Sequence, residues 1–223
     1  MAIGERQRWW EVALYRFVRA LILGVAKIFG RVHVIGGSNI PRDRPFILAP
    51  VHRSNIDFAL ASLVTTRRMR YMGKDSIFKF KFLNPFFHAL GAFPVHRGAA
   101  DREALRTSIA VIESGQPLVM FPEGTRQAGP IVQELFDGTA YVAAKTGVPI
   151  VPVGIGGSEA AMPKGSKLIH PAKLVLIVGQ PLDPPAPRES GGTSRRAVKE
   201  LTDQLHGELQ KLFDEAETRA GRR

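Results

Sequence analysis

Two short motifs carry residue types that do chemistry. His52 and Asp57 stand five apart in HRSNID (52–57), directly after the apolar run FILAP. That spacing does not align two side chains on a regular helix. They meet if His52 lies in a strand-to-helix turn and Asp57 in the first turn of the helix that follows. A histidine held by a carboxylate is the arrangement of a general base: the acid sets the tautomer and stabilises the imidazolium as it forms. By itself the spacing also suits a surface or capping histidine. No third ligand stands at a spacing that suits a metal. The second motif is FPEGTR (121–126), after the apolar run PLVM. A turn of Glu123, Gly124, Thr125 and Arg126 at a strand end brings backbone N–H groups, a carboxylate and a guanidinium to the edge of an α/β sheet where ligands bind. Arg126 suits bidentate bonding to a phosphate. The same residues also make an ordinary glycine turn with a surface ion pair.

The elements that must position these residues alternate along the chain. Apolar runs predict strands at Val32–Ile35, Phe46–Ala49, Met69–Met72, Phe93–Val95, Leu118–Phe121, Ile150–Ile155 and Leu174–Val178. Helical patterns fall at Ile56–Val64, Ser76–Phe80, Arg102–Ile112 and Gly138–Lys145, with Asp101 as a cap and Gly115 and Gly147 as stops. A last helix from about Ser194 carries Val198, Leu201, Leu205, Leu209 and Leu212 on one face. This alternation implies an α/β fold, a single domain with a central, mostly parallel or mixed sheet flanked by helices. The expected divisions are a helix over 1–30, the α/β domain over 31–180, a Pro/Gly-rich connector over 181–193 and a C-terminal helix over 194–223 packed on the domain.

The 223 residues suffice for one domain with a buried core, and 44% hydrophobic against 23% charged residues excludes wholesale disorder. The chain has no cysteine, which excludes disulfides, thiolate metal sites and a cysteine nucleophile. A net charge of +11 points to acidic partners: nucleic acid, anionic lipid or phosphorylated substrates. Residues 67–106 hold nine basic and three acidic side chains, interleaved with aromatics such as Tyr71, Phe78, Phe82 and Phe86. No nucleic-acid-binding signature accompanies them.

Near the N-terminus, residues 9–29 are apolar but interrupted by Glu11, Arg16, Arg19 and Lys27, and Ala20–Ala26 is the longest uncharged run. A spanning helix needs about 20 apolar residues, so no span and no cleavable signal is expected here. On a helical wheel Trp10, Leu14, Phe17, Leu21, Val25 and Ile28 share one side, and the charged residues fall mainly on the other. Such a helix either packs on its own domain or lies in a membrane interface with Trp9 and Trp10 at headgroup depth and its arginines toward anionic lipid.

Taken in order, HRSNID, GAFPVHR (91–97), FPEGTR and VPIVPV (148–153) resemble the glycerophospholipid acyltransferase family, and within it the 1-acyl-sn-glycerol-3-phosphate acyltransferases. The resemblance covers about residues 32–180. It implies that His52 is the general base, that Asp57 orients it, and that the acceptor hydroxyl attacks the thioester of acyl-CoA or acyl-carrier protein without an acyl-enzyme. It implies no cofactor beyond that co-substrate. It places Glu123, Gly124, Thr125 and Arg126 at the acceptor, with Arg97 and Lys74 as further cations for its phosphate. The Gly124 N–H is the expected oxyanion donor. Ser54 reads as a turn or cap residue. Val51 where many members carry Asn, Pro94 and His96 in the second block, and Asp137 where a basic residue is frequent are departures from the family pattern.

The expected reaction is acyl transfer to the free sn-2 hydroxyl of 1-acyl-sn-glycerol-3-phosphate, giving phosphatidic acid. The alternatives are another acceptor (glycerol-3-phosphate or another lysophospholipid) and a non-catalytic module for anionic membranes. A bilayer-resident acceptor favours the interfacial reading of the first helix, with Trp9, Trp10, Phe17 and Leu21 in the membrane and the basic, aromatic 67–87 region as a second docking signal. The expected location is the cytoplasmic side of a membrane, as a peripheral or monotopic protein.

Overall fold

In a computed structural model the described residues are 8–74, 78–79, 81–95, 102–163, 165–166, 168–185 and 194–221, with the backbone alone for 29, 30, 74 and 81. All seven expected strands form: β1 (His33–Ile35), β2 (Ile47–Pro50), β3 (Arg70–Lys74), β4 (Ala92–Val95), β5 (Leu118–Val119), β6 (Ile150–Gly156) and β7 (Val175–Val178). They make one sheet in the order β1-β7-β6-β2-β5-β3-β4. Every neighbouring pair is parallel except β6–β7, so the sheet is mixed, with β1 and β7 reversed. β2 and β6 are buried along their whole length, as a central strand covered on both faces must be.

The helices are α1 (Trp9–Gly30), α2 (Asp57–Ala61), α3 (Asn84–Ala89), α4 (Arg102–Glu113), α5 (Gly138–Thr146), α6 (Ser158–Ala161) and α7 (Arg195–Arg219). Within the expected Ser76–Phe80 helix, Ser76, Ile77 and Phe80 lie outside the described residues, as does Asp101. The short α3 and α6 were not expected. The first begins with Asn84-Pro85, and proline suits a first turn, where its missing N–H leaves no bond unmade. The two faces of the sheet can be told apart at β3. Tyr71 meets Tyr15 of α1, whereas the next residue, Met72, meets Ser108 of α4. Thus α1, α2 and α3 group on one side, and α4, α5 and α7 on the other.

Helix α7 lies against β6 because Gly154 and Gly156 carry no side chain: a Cβ there would stand 2.3 Å from the Leu212 carbonyl carbon or 2.2 Å from the Ala216 carbonyl oxygen. Its apolar face is Val198, Leu201, Leu205, Leu209 and Phe213, and Ser194 caps its start by accepting the Ala197 N–H. Phe213 is fully buried where Leu212 was expected, and Leu212 is half-buried.

Helix α1 packs Ile22, Leu23 and Ala26 on the core yet leaves a second apolar stripe outward. Glu11 and Tyr15 are buried, while Trp9, Phe17, Leu21, Val25 and Ile28 are exposed. Glu11 pairs with buried Arg68 at 3.7 Å. Arg19, expected to face lipid, turns inward and donates to the carbonyls of Ser62 (2.9 Å), Leu63 (3.2 Å) and Thr65 (2.9 Å). These carbonyls lie in and just past the 3-10 turn that follows α2, and the guanidinium ties that turn to α1. The basic cluster at 67–70 is likewise turned inward. Arg67 donates to the carbonyls of Pro41 and Arg44, Arg68 to those of His88 and Ala89, and burial pulls Arg70 down to about 10. Arg67, Arg68 and Arg70 thus knit the fold rather than offering a solvated basic face, while farther along the same stretch Lys79, Phe82 and Phe86 are exposed.

Candidate active site

The site lies past the carboxyl ends of the adjacent parallel strands β2 and β5, the usual ligand edge of an α/β sheet. From β2 the chain enters the turn holding His52 and reaches Asp57, the first residue of α2. His52 Nδ1 stands 3.1 Å from Asp57 Oδ2. The same oxygen accepts the backbone N–H groups of Arg53 and Ser54, each at 2.6 Å. Asp57 is fully buried, and the His52 side chain is 13% exposed. Three donors therefore converge on one carboxylate oxygen, and the turn wraps round the acid that orients its own histidine. The imidazole also stacks on Phe121, with ring centroids 4.1 Å apart. Since the Asp57 carboxylate accepts at Nδ1, the other ring nitrogen, Nε2, is the one left to accept a proton. Ser54 Oγ donates to the Met162 carbonyl at 2.8 Å, which anchors the turn and leaves the serine a structural part.

From β5 the chain enters FPEGTR, and here the structure departs from expectation twice. Glu123 is buried and faces the protein. Its Oε2 accepts the His52 N–H at 2.9 Å, its Oε1 accepts the Gln133 N–H at 3.1 Å, and Arg53 Nη1 bonds both oxygens at 2.8 and 3.0 Å. A carboxylate in a dry site must be fully paired, and these partners leave none of it facing an acceptor. The Gly124 N–H is also committed, donating to the Phe121 carbonyl at 3.0 Å, so it is not an oxyanion donor in this geometry. Gly124 has φ +68°, and a Cβ there would stand 2.7 Å from the Phe136 ring. Glycine is thus required twice over, by backbone and by space.

In the same turn Thr125 is exposed and Arg126 half-buried. The Arg126 guanidinium has no hydrogen-bond or ion-pair partner among the described residues. Arg97 and the side chain of Lys74 lie outside the described residues. The main chain of His52 is gripped on both sides, by Glu123 at its N–H and at its carbonyl by the Gln127 N–H (2.9 Å) and Arg53 (3.2 Å). Arg53, Phe121, Gln127 and Gln133 escaped sequence reasoning. The one available signal was Arg53, a charged residue inside a motif otherwise read for its first and last positions.

The acyltransferase family profile matches residues 31–156 of this chain. A curated relative, the 1-acyl-sn-glycerol-3-phosphate acyltransferase of Bacillus subtilis, is 28% identical over 170 residues, covering 76% of this chain and 82% of the relative. The enzyme of the same name from Streptococcus pneumoniae is 26% identical over 90% of this chain and 74% of its own length. The chain spans only about half of a chloroplast relative from Brassica napus, 48% of its length. Among solved structures, the crystal structure of the 1-acyl-sn-glycerophosphate (LPA) acyltransferase PlsC from Thermotoga maritima aligns with a TM-score of 0.73 at 29% identity, over 90% of this chain and 80% of that one. With His52, Asp57 and the FPEGTR turn gathered at one sheet edge and the family profile spanning them, this chain belongs to the acyltransferase family.

Proposed function

We propose that this acyltransferase moves a fatty acyl group from acyl-CoA or acyl-carrier protein to the free sn-2 hydroxyl of 1-acyl-sn-glycerol-3-phosphate, giving phosphatidic acid. The observation that carries the reading is the His52–Asp57 pair at 3.1 Å, with its ring stacked on Phe121 at the sheet edge. The names of the curated relatives support lysophosphatidate as the acceptor.

In this mechanism His52 Nε2 takes the proton of the acceptor hydroxyl as its oxygen attacks the thioester carbonyl. Asp57 stabilises the imidazolium that results. Collapse of the tetrahedral intermediate breaks the C–S bond, and the departing thiolate takes the proton from Nε2, so the base is restored each turnover. Arg126, half-buried and without a partner among the described residues, suits the acceptor phosphate. Arg97 and Lys74 are proposed to assist it. An apolar cavity of about 250 Å³ opens between α1, α2 and the segment before β7, lined among others by Leu21, Val25, Ile56, Ala59, Ile169 and Leu174. Ile56 and Ala59 stand within two residues of Asp57, and this cavity is proposed to hold the acyl chain.

Membrane docking is supported by the outward stripe of α1. The apolar face of α1 is turned outward, with Trp9 82% and Ile28 78% exposed, and its polar residues Glu11 and Arg19 hold it to the domain. An apolar stripe that its own domain leaves uncovered suits a bilayer surface. Among the described residues no helix is long and apolar enough to cross a membrane. We place the protein on the cytoplasmic face, where acyl-CoA and acyl-carrier protein are found.

The test is acyl transfer by the full chain in mixed micelles, with oleoyl-lysophosphatidate and palmitoyl-CoA, beside His52→Ala. Phosphatidate from the wild type, lost in the variant, is expected. Product with glycerol-3-phosphate alone, or with another lysophospholipid alone, would replace the acceptor; transfer by neither protein to any acceptor would leave the membrane-binding module.

A further inference from the structure

Helix α7 lies beyond the region matched by the family profile, which ends at residue 156. Its apolar face covers the sheet, and a polar stripe of Thr202, His206 and Gln210 runs beside it and meets it at Phe213, at steps of four, four and three residues. Such spacing keeps all four on one side of a helix. Each member of this stripe holds the 130–137 segment or Arg53. Thr202 Oγ1 donates to Asp137 Oδ1 at 2.8 Å. His206 Nε2 lies 2.9 Å from the Val132 carbonyl, which only accepts, so this nitrogen carries the proton. Gln210 accepts the Val132 N–H at 2.8 Å and donates to the Pro130 carbonyl at 3.1 Å. Phe213 lies beneath the Arg53 guanidinium, 4.7 Å from Cζ to the ring centroid.

The segment held by this stripe supplies two partners of the buried pair behind His52. The Ile131 carbonyl accepts Arg53 Nη2 at 3.0 Å, and the Gln133 N–H bonds Glu123 Oε1. Arg53 and Glu123 are each fully desolvated at the side chain. A buried ion pair is often no more stabilising than apolar residues of the same shape, so stability alone gives little reason to place one here. What this pair does contribute is geometric. A guanidinium is a rigid fork, and it fixes the carboxylate that holds the His52 N–H while also touching the His52 carbonyl.

We propose that α7 is a working part of the catalytic device: its Thr202–Phe213 stripe seats segment 130–137 and Arg53, so that Arg53 locks Glu123 onto the main chain of His52. Arg53 is then a positioning residue, acting on the base through Glu123 and never touching substrate. The inference rests on His52 being the base. Positional error of about 1 Å in a reacting group costs on the order of 100-fold in rate, and among the described residues Glu123 is what fixes the His52 main-chain N–H.

The test uses the full chain and the same micellar assay with three proteins beside the wild type. The neutral pair Arg53→Met with Glu123→Gln removes both charges together, so no unpaired charge is buried. Gln210→Leu, at a half-buried position, removes two bonds to the segment and leaves the core intact. The third combines all three substitutions. We expect the neutral pair to melt near the wild-type temperature with kcat lowered about 10- to 100-fold and KM for both substrates unchanged. Gln210→Leu should lower kcat about threefold or more alone, and add nothing in the neutral-pair background, because the path it acts through is already cut. A folded neutral pair with wild-type kcat overturns the proposal, as does a Gln210→Leu loss that multiplies fully in that background. If the neutral pair fails to fold, an unchanged kcat in Gln210→Leu alone overturns it. His52→Ala separates the two claims: residual turnover there removes the base, whereas a dead His52→Ala beside an unaffected neutral pair removes only the role of α7.

Discussion

Phe17 and Leu21 test the outward-facing stripe of α1 without disturbing its attachment. Deleting the helix would not do so, since Arg68 would lose Glu11 and the carbonyls of Ser62 and Thr65 would lose Arg19. Phe17 is 68% exposed and Leu21 58% exposed, so Phe17→Ser with Leu21→Ser removes little that the folded domain buries. Full burial of such side chains is worth about 1.5–3 kcal/mol each; scaled by these exposures, transfer into a bilayer interface yields about 2 kcal/mol for Phe17 and about 1 kcal/mol for Leu21. A loss of about 3 kcal/mol corresponds to a partition coefficient lower by about 100-fold. Sedimentation with vesicles of phosphatidylcholine and phosphatidylglycerol measures it, and a thermal melt run in parallel should be unchanged. High salt should weaken both proteins alike, because the apolar term is not screened. Equal partition of variant and wild type at matched stability would refute the reasoning, and with it the assignment of this face to the membrane.

Three further outcomes follow from the site and the core. Asp57→Asn keeps an oxygen for the Arg53 and Ser54 N–H groups but removes the charge opposite the imidazolium; kcat should fall about 100- to 10,000-fold with the fold retained, read by activity beside circular dichroism. Arg126→Gln should raise KM for the lysophosphatidate several-fold while KM for the acyl donor stays unchanged, since the guanidinium, without a partner among the described residues, is proposed to hold the acceptor phosphate. Gly154→Ala places a methyl 2.3 Å from the Leu212 backbone, so α7 must move off β6; calorimetry should show a loss of about 2–3 kcal/mol and a Tm lower by about 5–10 °C.

What was legible in the sequence is what depends on neighbours along the chain. The central strands formed where expected because a short apolar run is required of any strand covered on both faces, and the stops at Gly115 and Gly147 reflect a left-handed backbone that glycine alone adopts cheaply. His52 and Asp57 were readable as a pair because one turn holds both, and the amphipathic pattern of α1 was readable because a helix lays its own residues out by period. Which way that pattern faces was not. An apolar stripe reads the same whether it lies on a core or on a membrane. The outcome was decided by Arg68, the carbonyls of Ser62 and Thr65, and the need of Glu11 and Arg19 for partners across 40 residues or more. The same holds for Glu123 and the Gly124 N–H, which FPEGTR suggested would face the acceptor and the oxyanion. Arg53, 70 positions away, and the ring of Phe213 on the last helix turn that carboxylate inward. Residue types and spacing determine what chemistry is present; only the packing of distant elements decides which polar groups are left free to perform it, because a buried donor or charge takes whatever partner the fold brings within reach.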